Sequence, residues 1–117
     1  MRMRLKKHLD ERLSATKDYL LAREGDDFFR LTQEEKLRNI IDLRQVFDNE
    51  TTTITLELGC GKGAWAIQSA QNNPNKRYVA VEKLSNVIVV ACEQAKELNV
   101  PNLRFINCRV ENLRYFL

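Results

Sequence analysis

Apolar positions divide the chain into two parts with different periods. Leu5, Leu9, Leu13 and Leu20, with Tyr19 beside them, recur at roughly helical spacing. They predict a helix over 5–23 that breaks at Gly25-Asp26-Asp27. Thr32 and Glu35 stand in T-x-x-E spacing, which lets each side chain satisfy the other's exposed backbone donor at a helix start. A second helix is expected over 33–47, with Leu37, Ile40, Ile41, Arg44 and Phe47 along one face and Asp48-Asn49-Glu50 ending it. From Thr51 the period becomes two: Ile54, Leu56 and Leu58 alternate with Thr53, Thr55 and Glu57, which predicts a strand. A glycine-rich turn follows, then a helical pattern from Ala64 to Asn72 that stops at Asn73-Pro74-Asn75. Arg77 to Glu82 reads as a second strand. Ser85 can cap a further helix to about Leu98, with Leu84, Ile88, Ala91, Cys92 and Ala95 on one side. Val100-Pro101-Asn102 is a turn, Leu103 to Cys108 a third strand, and ENLRYFL the start of another helix.

The order is therefore two helices, then strand–helix–strand–helix–strand. Such alternation implies an α/β fold: parallel strands joined by right-handed crossovers, with helices on both faces. It divides the chain into a helical segment, 1–50, and the first half of a Rossmann-like domain, 51–117. With three strands for helix faces that could cover more, the domain is expected to be incomplete. Its third strand is expected to form an open edge, with Phe105 and Ile106 lacking a neighbour.

Composition narrows the class. Of 117 residues, 44% are hydrophobic and 30% charged, the balance of a folded soluble domain, which argues against disorder. No apolar run is long enough for a membrane span, and the basic start MRMRLKKHLDERL has no apolar stretch behind it to make a secretory signal. Cys60, Cys92 and Cys108 are odd in number and lack C-x-x-C spacing, which argues against a disulfide framework and a structural zinc site and fits a reducing cytoplasm. The net charge of +3 names no partner, but Arg2, Arg4, Lys6 and Lys7 form a basic tip free of acids. Such a tip is either a solvated terminus or a contact for nucleic-acid phosphates.

The chemistry concentrates where the first strand ends, at Glu57-Leu58-Gly59-Cys60-Gly61-Lys62-Gly63. Ligands of open parallel sheets bind beyond the carboxyl ends of the strands. Glycines there let a ligand approach the backbone. Read as G-x-G-x-x-A, Gly59, Gly61 and Ala64 satisfy a dinucleotide fingerprint, with Glu82 about 20 residues on as the ribose-binding acid. Read as acid-x-G-x-G-x-G, Glu57, Gly59, Gly61 and Gly63 match a loop for S-adenosylmethionine. Charge separates the two. A pyrophosphate is repelled by a carboxylate two residues before the first glycine, whereas a methionine end carrying an ammonium and a sulfonium is attracted to it. Glu57 thus favours the sulfonium cofactor. Glu82 can accept two hydrogen bonds from a ribose diol, and Asn107, Cys108, Arg109 and Val110 end the third strand where adenine would lie. No nucleophile–base pair stands out. His8 has no evident role, Cys60 is a small filler beside glycines, and Trp65 and Cys92 are expected in the core.

The stretches LELGCGKGAW at 56–65, N-P-N-x-R-Y-V-A-V-E-K at 73–83 and S-N-V-I-V at 85–89, with the opening MRMR-x-K, resemble bacterial tRNA (guanine-N7-)-methyltransferases. The resemblance implies a class I methyltransferase fold, S-adenosylmethionine as cofactor, tRNA as substrate and guanine N7 as the methyl acceptor. It makes Glu57 and Glu82 the two cofactor-binding acids. The family's adenine-contacting aspartate falls on Arg109, which is donor-only and leaves that contact to the backbone around Val110. Family members are about twice as long, so the resemblance covers an amino-terminal half that lacks the acceptor-binding part and is not expected to be active alone. The competing readings are a nicotinamide-dependent oxidoreductase fragment and an inactive RNA-binding fragment.

Overall fold

A computed structural model describes residues 6–25, 27–38, 40–47 and 53–117. Helix α1 spans Leu9–Ala15, strand β1 Leu20–Arg23, and a 3-10 turn Phe28–Arg30. Helices α2 (Gln33–Leu37) and α3 (Leu43–Val46) lead to β2 (Ile54–Leu58), α4 (Ala64–Asn72), β3 (Arg77–Val81), α5 (Ser85–Glu97) and β4 (Leu103–Asn107). A second 3-10 segment, Val110–Tyr115, follows. The four strands form one parallel sheet in the order β1-β4-β3-β2.

Alternation along β3 builds the two sides of the core. Tyr78 and Ala80 face α1, α4 and α5, packing with Leu13, Ile67, Ala70, Ile88 and Ala95. Val79 and Val81 face the other way, toward Phe28, Phe47, Tyr115 and Phe116. The expected α/β architecture with both faces covered is thus present. No helix among the described residues is long and apolar enough to cross a membrane.

Four expectations need correction. The helix over 5–23 ends at Ala15, where the Thr16 hydroxyl donates to the carbonyls of Arg12 and Leu13. Residues 20–23 become a strand on β4, pairing Leu20 with Phe105, Ala22 with Ile106 and Arg23 with Asn107. The sheet accordingly has four strands, and Phe105 and Ile106 are fully buried with β1 beside them. The physical reason is long-range: β4 offers unpaired backbone groups and apolar side chains, and satisfying them outweighs the local helical propensity of Leu20, Leu21, Ala22 and Arg23, since propensity yields to tertiary context. The segment before residue 51 therefore contributes a strand to the sheet as well as helices.

The helix over 33–47 is split in two. The capping box at its start is present, with Thr32 Oγ1 accepting from the Glu35 N–H and the Glu35 carboxylate accepting from the Thr32 N–H. Between the halves, the Ile41 N–H donates to the Phe116 carbonyl, and Asp42 caps α3 through the Arg44 N–H. Leu37 and Ile40 consequently stay exposed while Ile41 packs inward. Ser85 does not cap α5. The cap position is Leu84, and the Ser85 hydroxyl donates to Asn107 Oδ1 instead. The expected element ends at 48–52 and the basic Arg2 and Arg4 lie outside the described residues.

Candidate functional site

The carboxyl ends of β2, β3 and β4 open onto a cavity of about 640 Å³, within the size range of small-molecule sites. Gly59 bounds it from β2, Val81 to Leu84 from β3, and Cys108 to Glu111 from β4. The loop after β2 is held by its neighbour strand: the N–H groups of Gly59 and Cys60 both donate to the Val81 carbonyl, at 2.8 and 3.0 Å.

The glycines divide by role. Gly59, Gly61 and Gly63 all take positive φ (78°, 58° and 84°), a conformation that favours glycine. A Cβ on Gly59 or Gly61 would meet nothing within 4 Å, so these two leave open space beside the cavity. A Cβ on Gly63 would lie 2.7 Å from Ala91 Cβ. Gly63 therefore serves the close approach of α4 to α5, and only the first two glycines leave room for a ligand.

Glu57 ends on the opposite side of β2 from Leu56 and Leu58, which are exposed. Its Oε2 is the one buried side-chain polar atom without a hydrogen-bond partner among the described residues. Burial raises the Glu57 carboxyl above the ordinary range. A buried, unpartnered carboxylate oxygen is costly unless something cationic or hydrogen-bonding meets it. Together with the space above Gly59 and Gly61, it fits the ammonium-bearing end of an S-adenosylmethionine-type ligand and does not suit a pyrophosphate.

Glu82 sits at the cavity wall, tied to both flanking elements. Its Oε1 accepts from the Gly61 N–H (3.1 Å) and its Oε2 from the Leu84 N–H (2.9 Å). Each oxygen keeps a further lone pair for a ligand hydroxyl. Cys60, in the same loop, is buried, with its thiol pushed up to about 12 by burial first and then by the charges of Glu57 and Glu82. At neutral pH it stays protonated, a poor nucleophile.

The third-strand residues separate. Asn107 is buried and its amide is spent inside the protein. Its Nδ2 donates to the carbonyls of Glu82 and Lys83, while its Oδ1 accepts from the Ser85 hydroxyl and Arg23 Nε. Asn107 thus straps β3, α5 and β1 together beneath the cavity. Arg109 lines the cavity, with its guanidinium 4.7 Å from the centre of the Phe29 ring and its Nε 4.0 Å from the Glu24 carboxylate. Val110 is half-exposed on the same wall. Trp65, expected in the core, is 56% exposed on α4, because Ala66, Ile67 and Ala70 make the buried face of that helix. Cys92 is in the core as expected. Sequence reasoning missed Glu24 and Ser85 as neighbours of this site, since both reach it through β1 and α5 pairings with no local signature.

Two solved structures of phosphoethanolamine N-methyltransferase 2 from Haemonchus contortus are similar. One is in complex with phosphomonomethylethanolamine and S-adenosylhomocysteine (16% identity, TM-score 0.48, 87% of this chain covered). The other is in complex with S-adenosyl-L-methionine (18% identity, TM-score 0.44, 91% covered). The chain spans only 21% and 25% of those chains, about a fifth to a quarter of their length. A family model described as "Putative methyltransferase" matches residues 51–117. That region begins at the segment leading into β2 and includes the glycine loop, Glu57 and Glu82. S-adenosylmethionine is the methyl donor of the family. The match decides between the two readings of the glycine loop: with more than half of its length accounted for, the chain belongs to this methyltransferase family.

Proposed function

We propose that this protein takes part in S-adenosylmethionine-dependent methylation of guanine N7 in tRNA, in the cytoplasm. The observation that carries the cofactor part is the buried, unpartnered Oε2 of Glu57 beside the open backbone of Gly59 and Gly61. The tRNA part rests on the sequence resemblance and on the basic tip, whose Lys6 is tethered to the body through its N–H on Asn86 Oδ1 (2.8 Å).

When bound, the cofactor supplies an electrophilic methyl group on a sulfonium. Glu57 would neutralise its ammonium end. Glu82 would accept from the ribose hydroxyls, and the Gly61 and Leu84 N–H groups hold that carboxylate in place beforehand. The wall from Cys108 to Glu111 would enclose the adenine, with the Val110 backbone offering the polar contact that a donor-only Arg109 side chain cannot. Guanine N7 carries a free lone pair, so its attack needs no general base. The task left to the protein is in-line positioning and electrostatic tuning. A protonated Cys60 at the floor of the loop is compatible with that, since no covalent intermediate is called for.

Two results check this reading. Incubating a protein of the family's full length that contains this chain with bulk tRNA and a methyl-labelled donor, followed by nucleoside analysis, is expected to yield 7-methylguanosine, while the 117-residue chain alone is expected to transfer little. Label appearing in another nucleoside would replace the N7 assignment, cofactor binding by the longer protein with no transfer to any RNA would remove tRNA as substrate, and comparable turnover by the short chain would overturn the expectation that the acceptor side is missing. Separately, Glu82→Ala is expected to weaken cofactor binding by about 1–3 kcal/mol, because it removes charge-assisted bonds to the ribose and frees the Gly61 N–H. Unchanged affinity by calorimetry would take Glu82 out of the site.

A further inference from the structure

The cavity wall formed by Cys108 to Glu111 follows β4 and carries no side-chain cap of its own: Arg109, at the N-cap of the 3-10 segment, makes no capping side-chain bond. What holds it comes from 85 residues earlier in the chain. Glu24 directly follows β1, and its N–H donates to the Asn107 carbonyl at 2.7 Å, continuing the β1–β4 ladder by one residue. Its side chain, only 10% exposed, then turns back under the wall. Oε2 accepts from the Arg109 N–H (3.3 Å), and Oε1 accepts from Asn112 Nδ2. The same carboxylate faces Arg109 Nε, whose guanidinium is flanked on another side by Phe29. One nearly buried carboxylate therefore fixes both ends of the turn that walls the cavity. Anchoring such a turn through a main-chain N–H and a side-chain amide restricts where its backbone can sit, and a preorganised wall loses less order when a ligand binds.

We infer that Glu24, which lies outside the family-matched region 51–117, is a positioning residue for the adenosine end of the cofactor cavity, so that the amino-terminal strand is part of the binding site. This rests on reading the cavity as the S-adenosylmethionine site. Glu24 touches no ligand in this scheme. It acts through Arg109 and Asn112, and through them on the Val110 backbone.

The test uses S-adenosylhomocysteine as probe, titrated calorimetrically into the protein and its variants at a temperature where circular dichroism shows each to be folded. In Glu24→Gln the negative charge facing Arg109 is lost, and the new amide can satisfy the Arg109 N–H and Asn112 together only if the Asn112 amide turns over, so charge-assisted anchoring is replaced by weaker neutral hydrogen bonds. Affinity is expected to fall about tenfold. Asn112→Asp is expected to lose affinity as well, since it opposes two carboxylates. The double variant E24Q/N112D restores a donor–acceptor match with the same total charge and is expected to recover most of the lost affinity. A role in folding alone would lower the unfolding midpoint of E24Q and leave its affinity for the probe unchanged, and that result overturns the inference. So does a double variant that recovers its midpoint and not its affinity. If E24Q does not fold, the double variant and Asn112→Ala carry the comparison: Asn112→Ala is then expected to bind several-fold more weakly, and equal binding overturns the inference. Failure of the unsubstituted protein to bind the probe overturns the cofactor reading itself, and the inference with it.

Discussion

Gly63→Ala is expected to destabilise the protein by about 2–5 kcal/mol, the largest effect of any single methyl addition in the glycine loop. Two costs combine. Gly63 has φ of 84°, where a Cβ crowds the backbone and costs about 1–2 kcal/mol. The new methyl would also stand 2.7 Å from Ala91 Cβ on α5, with Ala91 Cα at 3.4 Å. Neither neighbour is a flexible side chain that could swing aside, so α4 and α5 must separate, and overpacking of that kind adds about 1–3 kcal/mol. Gly61→Ala is the control. It shares the positive φ, at 58°, and has open space around the Cβ position. Its stability cost should be about 1–2 kcal/mol, from the backbone alone. Urea unfolding of both variants separates the cases. Equal midpoints would mean that the contact between α4 and α5 relaxes freely, and the packing role of Gly63 would be withdrawn.

Glu57→Gln should move stability and binding in opposite directions. Burial raises the folded-state pKa of Glu57 above its unfolded value. Between those two values the native protein holds more protons than the unfolded chain, so its stability falls as pH rises through that window. The amide does not ionise. The variant should therefore lack this fall, and in the ligand-free state above the window it should be the more stable protein. Binding runs the other way. The unpartnered Oε2 is the acceptor offered to the cationic methionine end, and replacing its charge should weaken S-adenosylmethionine by about 1.5–3 kcal/mol. S-adenosylhomocysteine keeps the ammonium and lacks the sulfonium. Comparable losses for both ligands would place the contact at the ammonium, and a larger loss for S-adenosylmethionine would place it nearer the sulfur. Unfolding curves across pH and paired titrations give the answer. A variant that is neither more stable nor weaker in binding would show that Glu57 has other partners in solution.

Local chemistry was readable directly from the order of residues. The T-x-x-E box at Thr32 depends on atoms three residues apart, so its geometry follows from sequence spacing. The period of two over 54–58 and the helical pattern over 64–72 likewise follow from which faces are apolar. Glu57 and Glu82 could be picked out because each closes a strand, and strand ends are where a parallel sheet presents ligands. Charge alone favoured a cationic ligand at Glu57.

What required the tertiary structure were features whose cause lies far along the chain. Tyr19 to Arg23 carries a pattern as compatible with a helix as with a strand, and it is β4, more than 80 residues later, that draws it into the sheet. The glycines look alike in sequence, and only the position of Ala91 on α5 separates the packing glycine from the two open ones. Asn107 reads as a ligand contact at a strand end, yet four partners from β1, β3 and α5 occupy its amide. Glu24 gives no local sign of a role until the fold lays it beneath Arg109 and Asn112. Short-range hydrogen bonds and periodicity are encoded within one or two turns of chain. The partners of a side chain that is buried between elements are set by which elements meet, and that is decided only when the whole sheet closes its edges and fills its core.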